Sequence, residues 1–256
     1  MKRAFQLFLF VGLTLVVSAP VQAQMPAWED RGFLNVNFGF QNKTATELAV
    51  ERSFTLYDEA AKITASQTIE TSGGIPDFMA GARLFGNFGL GLGYNRISTE
   101  TISPISASIP HPVFYDQPRT AAATEDRLKH VENALHVMGI FVVPVGPKFD
   151  IMLSAGPTFF SVEQGTPNLG AIQVGPDVAP YSTVTLTSVG QVTTKKTQVG
   201  YNVGADITLR VAQRFGIGGF VRYTGANVEV TPTGLAEAIT IEVGGIQFGG
   251  GIRIRF

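Results

Sequence analysis

No cysteine occurs among the 256 residues. That excludes a disulfide framework and thiolate metal sites, and it removes the thiol that a lipid-anchored bacterial lipoprotein carries. Charge is scarce as well, at 15% of residues, with 19 basic and 20 acidic side chains. Such a balance leaves no basic footprint for nucleic acid. The three histidines, His111, His130 and His136, have no metal-ligand spacing with one another or with an acidic pair. Beyond the N-terminus no apolar run approaches the 18 or more residues of a transmembrane helix. Nor is there a phosphate-binding glycine loop, because the GxGxG runs lie on strand-like segments with no helix after them. No cofactor, metal site or catalytic residue is therefore expected.

What is present begins with an export signal. Lys2 and Arg3 precede the apolar stretch Ala4 to Val17, and Val21-Gln22-Ala23 supplies small residues for cleavage. The expected organisation is a signal peptide over 1–23, a short N-terminal segment over 24–30 and one β domain over 31–256. Without Lys2 and Arg3 the chain holds 17 basic and 20 acidic residues.

Glycine, at 29, and phenylalanine, at 19, are abundant, and the last fifteen residues show how they are used. Ile246, Phe248, Gly250, Ile252, Ile254 and Phe256 alternate with Gly245, Gln247, Gly249, Gly251, Arg253 and Arg255. A strand has period two, so one face is apolar and uncharged while the other is small or polar. The first suits lipid and the second the crowded inside of a small barrel. Seven further segments repeat the pattern: Gly32–Gln41, Asp77–Phe85, Phe88–Ser98, Asn133–Val145, Phe149–Val162, Gln198–Val211 and Phe215–Val230. Pro157 cannot donate to a ladder, so a bulge or the membrane rim is expected near it.

Short connections, near 86–87, 146–148 and 212–214, alternate with long ones at 42–76, 99–132, 163–197 and 231–241. Short turns on one side and long loops on the other mark outer-membrane barrels. Phe33, Phe85, Phe88, Phe149, Phe215 and Phe256 gather at the short-turn ends, as an interfacial girdle would, although Phe33 and Phe85 have inward parity. The expected fold is all-β: an eight-stranded antiparallel transmembrane β-barrel, an up-and-down meander with long extracellular loops.

Residues 30–256 resemble small bacterial outer-membrane β-barrel domain proteins of the OmpA/OmpX type. The likeness rests on this strand pattern. Ile109-Pro110-His111-Pro112 with Arg119-Thr120, and Gly156-Pro157 followed by Phe159-Phe160, resemble an uncharacterised subset of them. The resemblance implies an eight-stranded barrel in the bacterial outer membrane and no defined activity. It also implies outer-membrane lipid as a partner, and recognition by the barrel-assembly machinery through Phe256, Ile254 and Ile252.

Inward parity collects Asp77, Arg83, Asp150, Asn202, Asp206, Arg210, Arg222 and Arg253 as a lumenal polar network, in which Asp206 and Arg210 pair across strands and not with each other. Eight strands leave room only for side chains, and unpaired buried charges are costly. The leading expectation is a non-enzymatic barrel with a filled lumen and a structural or surface-interaction role through its loops. His111, Phe114 and Tyr115 form a candidate contact for an extracellular ligand, on a segment serving as a binding tip or a lid. One alternative is a narrow pore for ions or small solutes. Another is a membrane-embedded lipid-modifying enzyme, for which Ser98 and His130 can be imagined near the rim, although nothing in their spacing supports the pair. A soluble lipocalin-like barrel is disfavoured, because it would expose Val199 through Val211 to water.

Overall fold

Alternation in the sequence becomes one closed ring of strands. The computed structural model describes residues 27–43, 45–231 and 239–256. The expected signal peptide and residues 24–26 of the expected N-terminal segment lie outside the described residues. Twelve strands follow one another: β1 Gly32–Asn42, β2 Thr46–Leu56, β3 Glu59–Ile69, β4 Gly73–Phe85, β5 Phe88–Ile109, β6 Arg119–Pro144, β7 Phe149–Pro167, β8 Gln173–Val174, β9 Leu186–Thr187, β10 Gln191–Arg210, β11 Phe215–Val230 and β12 Ile239–Arg255. Eight of them close antiparallel in the order β1-β4-β5-β6-β7-β10-β11-β12, with β12 returning to β1. The closing pair runs from Phe33↔Arg255 to Asn42↔Ile246. Closure leaves no sheet edge in the membrane-facing part, which is what a bilayer demands of β structure.

Parity then decides which way each side chain points. Val36, Phe38, Phe40, Leu90, Leu92, Ile207, Leu209 and Ile252 are exposed on the outside, whereas Asn35, Asn37, Asp77, Asn95, Asp206 and Arg253 are buried within. Phe33 is buried inside, with the Arg255 guanidinium 5.2 Å from its ring centre. Phe85 differs from its expected inward parity. The register shifts between Arg83 and Phe85, which turns Phe85 outward against Phe88. Pro157 differs too. It lies inside continuous β7, opposite Tyr201, and the register to β6 is the same before and after it. It faces outward, so the strand carries it without a bulge.

The strands rise far beyond the membrane. Residues 99–109 and 119–132, expected within a long loop, extend β5 and β6 as a two-stranded ribbon with one irregularity between Thr101 and Ser103. The β2–β3 hairpin joins this ribbon by pairing Lys62–Ala65 with Ile105–Ser108. Leu48, Ile63, Ile105, Phe160, Val228 and Ile241 meet in an apolar core inside this raised part. The molecule thus has a membrane barrel with a polar interior and, stacked on it, a head packed like a water-soluble β domain.

Glycine makes the interior possible. At Gly218 of β11 a Cβ would stand 2.1 Å from the Ile207 carbonyl oxygen and 2.8 Å from the Arg253 Nε. The bare backbone lets Arg253 reach from β12 across β11 to β10. Gly218→Ala is expected to destabilise the barrel by about 1–3 kcal/mol, the usual size of an overpacking defect. Urea unfolding from lipid vesicles measures it.

Candidate functional site: a corked and roofed lumen

The interior is built in layers, each formed by inward positions of neighbouring strands. At the short-turn end, Arg255 Nη2 pairs with Asp150 Oδ1 at 3.2 Å and donates to Thr208 Oγ1 at 2.6 Å. Arg210 lies at the rim, with Asp30 at 2.9 Å and Asp150 at 3.5 Å. One layer up, Arg253 grips Asp206 through both oxygens, at 3.0 and 2.7 Å, and donates to Asn37 Oδ1. Such a two-point guanidinium–carboxylate fork is the strongest geometry for the pair. Asp206 and Arg210 thus take separate partners, and neither reaches the other.

Asn37 carries the chain upward by donating to Asp77 at 2.9 Å, and Asp77 also pairs with Arg222. Arg222 Nε and the Asn95 amide both donate to Gln247 Oε1, at 3.1 and 3.0 Å. The Asn95 amide also donates to His136 Nε2 at 3.0 Å, so the proton sits on Nδ1 and is given to Thr158 Oγ1 at 2.8 Å. His136 is therefore a neutral, satisfied lumen histidine. Asn202 donates to the same Thr158 oxygen at 2.9 Å.

Above this, residues outside the expected network continue it. Gln247 donates to Gln41, Gln41 reaches Glu132 at 3.4 Å, and Glu132 pairs with His130 at 2.9 Å. His130 Nδ1 lies 2.7 Å from Gln164 Oε1, and the Gly244 amide donates to Glu132 at 3.0 Å. Glu132 escapes a sequence reading because it lies one residue before the fourth alternating segment, which starts at Asn133. Its parity with Ala134 and His136 is the signal that identifies it. Arg83 stands apart from the charged layers, since its Nη1 donates to the Trp28 carbonyl oxygen.

Both ends are shut by apolar side chains. Below, the chain's single tryptophan, Trp28, is buried beside Phe33, Met79, Met138, Ile140 and Met152. Its amide donates to Asn87 Oδ1 at 2.8 Å, which ties the N-terminal segment under the barrel. Above, the aliphatic core of the head forms the roof. Between them the cavity beside Asp77, Asp206 and Arg222 measures about 20 Å³, room for about one water molecule.

The outside is the inverse of the inside. On β10 the exposed series Val199, Tyr201, Val203, Ile207 and Leu209 is uncharged. Residues 199–209 span roughly 33 Å along the strand, or about 25 Å of height at a 40° tilt, the thickness of the apolar band on membrane barrels. Tyr94, Tyr201 and Tyr223 end the band on the long-loop side, and Phe88, Phe149, Phe215 and Phe256 end it on the other. Arg96, Thr197, Asn227 and Glu242 stand exposed just above the tyrosines. An apolar belt around a charged interior is tolerable in a bilayer and not in water. The chain is an eight-stranded β-barrel built to span a bilayer.

No protein-family model and no curated protein matches the sequence. Among solved structures it is similar to neisserial surface protein A, at 12% identity over 88% of this chain and 97% of that one, with a TM-score of 0.40. It is similar to the outer membrane protein OprG from Pseudomonas aeruginosa, at 10% identity over 89% and 97% of the two chains and a TM-score of 0.44. A third is the N-terminal β-barrel domain of Pseudomonas aeruginosa OprF, at 12% identity, 90% and 100% coverage and a TM-score of 0.39.

The other candidate residues fall on the head and the wall. His111, Phe114 and Tyr115 lie in the turn between β5 and β6, where the His111 and Phe114 rings are 4.8 Å apart and Tyr115 is 79% exposed. This turn is now short, 110–118, and it projects from the end of a ribbon. Arg119 anchors it, bonding Asp177 at 2.6 Å and the Pro110 carbonyl at 2.9 Å. Asp177 also accepts a hydrogen bond from Tyr57. Ser98 and His130 do not meet, because Ser98 faces outward and His130 is buried within. Among the described residues no three acidic or histidine side chains converge as metal ligands.

The Asp177 contact gives a pH-dependence. The Tyr57 hydroxyl and then the Arg119 guanidinium hold the Asp177 carboxyl below its ordinary 3.8. A carboxylate with a lowered folded pKa stabilises above the ordinary value, and that stabilisation is lost as pH falls through the folded one. Protease resistance of residues 110–118 and 175–184 is therefore expected to hold from pH 7 to about pH 4 and to fall below it. Asp177→Asn should remove this acid-linked change.

Proposed function

We propose that the chain is a closed, non-enzymatic barrel of the bacterial outer membrane, and that it presents a rigid head to the cell exterior. The observation that carries this reading is the lumen itself, filled by paired charges and shut by Trp28 below and an aliphatic roof above. A path for ions would need the ion pairs parted and the roof lifted together. The role then belongs to the surface of the head, where Tyr57, Val113, Phe114, Tyr115 and Val178 are exposed. Grouped exposed aromatics on anchored turns are a common form of contact site, and an extracellular ligand is their proposed partner. Ile252 and Phe256 lie exposed at the end of the closing strand, accessible to the assembly machinery proposed to recognise them.

Two measurements test the reading. In planar bilayers the purified chain should give no steady conductance steps, and regular single-channel steps would overturn the closed barrel. The absence of native cysteine makes orientation easy to read. On intact cells a membrane-impermeant maleimide should label Tyr115→Cys, whereas Ala212→Cys should react only after the outer membrane is permeabilised. The reverse pattern, or equal labelling, would refute the placement.

A further inference from the structure

One stretch of the lipid-facing wall is hollow. Three outward pairs join β11 to β12 there: Ile217↔Ile252, Gly219↔Gly250 and Val221↔Phe248. The middle pair carries no side chain on either strand. Around it the wall sinks into a groove of about 580 Å³, lined by Phe149, Ile207, Leu209, Ile217 and Ile252. Its size lies within the range of small-ligand sites. The lining is apolar and turned to hydrocarbon, so the occupant that fits it in a bilayer is an acyl chain.

Which lipid owns that chain is set by the charges where the groove ends, at the short-turn rim. Phe149 and Leu209 lie opposite each other there. One residue further, the Lys148 carbonyl oxygen accepts from the Arg210 amide at 2.7 Å, so Lys148 sits beside the end of β10. On the other flank of β10 the turn brings Arg214, whose carbonyl oxygen accepts from the Arg255 amide at 2.9 Å. The two backbones are two strand spacings apart, roughly 10 Å. Both side chains are exposed, and neither makes a hydrogen bond or ion pair with any of the described residues. Their neighbours do not offset them. Arg210 is paired with Asp30 and Arg255 with Asp150. The other charges of this rim, Arg31 and Arg83 against Glu29 and the Phe256 carboxylate, cancel in number. The surplus of positive charge is therefore Lys148 and Arg214.

We propose that the groove and these two cations form a site for an anionic glycerophospholipid, phosphatidylglycerol in type. Its phosphate oxygens accept from the Lys148 ammonium and the Arg214 guanidinium, long side chains that can lay their stems along apolar surface and keep their charge at headgroup level. One acyl chain lies in the hollow over Gly219, between Ile207, Ile217 and Ile252. A zwitterionic headgroup gains less, because Asp30 and Asp150 are already paired and leave its ammonium no carboxylate here. The inference rests on the membrane reading above, under which this end of the barrel meets the periplasmic leaflet, where glycerophospholipid lies.

The test uses the full chain inserted in nanodiscs of equal phosphatidylglycerol, phosphatidylethanolamine and phosphatidylcholine, with retained lipid read by native mass spectrometry. A cation beside an anionic headgroup contributes about fivefold, so phosphatidylglycerol should be held roughly 25-fold over either zwitterion. Lys148→Gln and Arg214→Gln should each lower that preference about fivefold, and the double variant should lose it. Exchanging the cations, Lys148→Arg with Arg214→Lys, should keep it. Gly219→Leu fills the hollow and should lower phosphatidylglycerol retention with both cations in place. The wall admits that change with a small shift, since a Cβ at Gly219 would meet only the Gly249 carbonyl oxygen, at 3.2 Å. Equal retention of the three lipids, or a preference that survives the double charge variant or Gly219→Leu, marks ordinary boundary lipid and overturns the proposal. Compact, heat-modifiable gel migration verifies that each variant is folded. A chain that folds but fails to enter the nanodisc defeats the membrane reading itself, whereas one that enters without preference defeats this site alone.

Discussion

Arg253→Ala should lower barrel stability by about 3–5 kcal/mol, the cost of breaking a buried ion pair by removing one partner. Arg253 has no exposed surface and holds Asp206 by two bonds as well as Asn37 by one. Its loss leaves a carboxylate beside a cavity that holds about one water molecule, too little to solvate it. Asn37, which links this layer to Asp77, also loses a donor. The urea midpoint measured in phospholipid vesicles should fall by roughly 1–5 M, given ordinary m-values. The discriminating control is the double change Arg253→Met with Asp206→Leu. Apolar replacement of a whole buried pair is often neutral or better, so the double variant should recover most of the loss. An unchanged midpoint in the single variant would show that the polar layers fill space without holding the barrel. By comparison Arg210→Ala, at the partly exposed rim and with Arg255 still paired to Asp150, should cost less, about 1 kcal/mol.

The head should fail independently of the barrel. Ile63→Asp places a carboxylate in the fully buried centre of the roof, where a lone charge costs several kcal/mol. β2 and β3 take no part in the closed ring. The expected result is rapid proteolysis within residues 46–69 while the eight-stranded barrel keeps its compact, heat-modifiable migration. Ile63→Val, a loss of one methylene, should leave the hairpin resistant. If Ile63→Asp unfolds the whole chain at once, head and barrel are one cooperative unit. If the hairpin resists protease unchanged, the roof does not depend on this packing.

These two variants lie on opposite sides of what could be read without coordinates. The Arg253 face was legible because a strand has period two and a bilayer punishes error on the outer face. Val36, Ile207 and Ile252 could point nowhere else, so Asn37, Asp206 and Arg253 had to point inward. Partners were not legible. Arg253 meets Asp206 across β11 only because Gly218 carries no side chain, and nothing in the spacing of the three residues encodes that. Glu132 and His130 were hidden by a different cause. They lie where the lining passes from charged layers to the apolar roof, and the fourth segment is apolar on both faces just below them.

The strand-like stretches beyond the membrane posed the harder problem. Ile105, Ile109, Ala121 and Val228 also alternate, but their apolar side is the inner one. The same period therefore serves two opposite rules within single strands, since β5 and β11 each cross from lipid to water. Periodicity reports that a strand exists and is blind to the solvent outside it.

By itself the sequence determined the number of barrel strands, the side with short turns and the face each membrane residue turns to lipid, because hydrocarbon imposes a strict two-residue code on a closed sheet. Tertiary structure alone decided which charges pair, that Trp28 corks one end, that a hairpin roofs the other, and that Lys148 and Arg214 flank the end of β10 below a hollow in the outer wall. Those outcomes depend on distances between strands far apart in the chain, and such distances are set by closure of the ring and not by any local pattern.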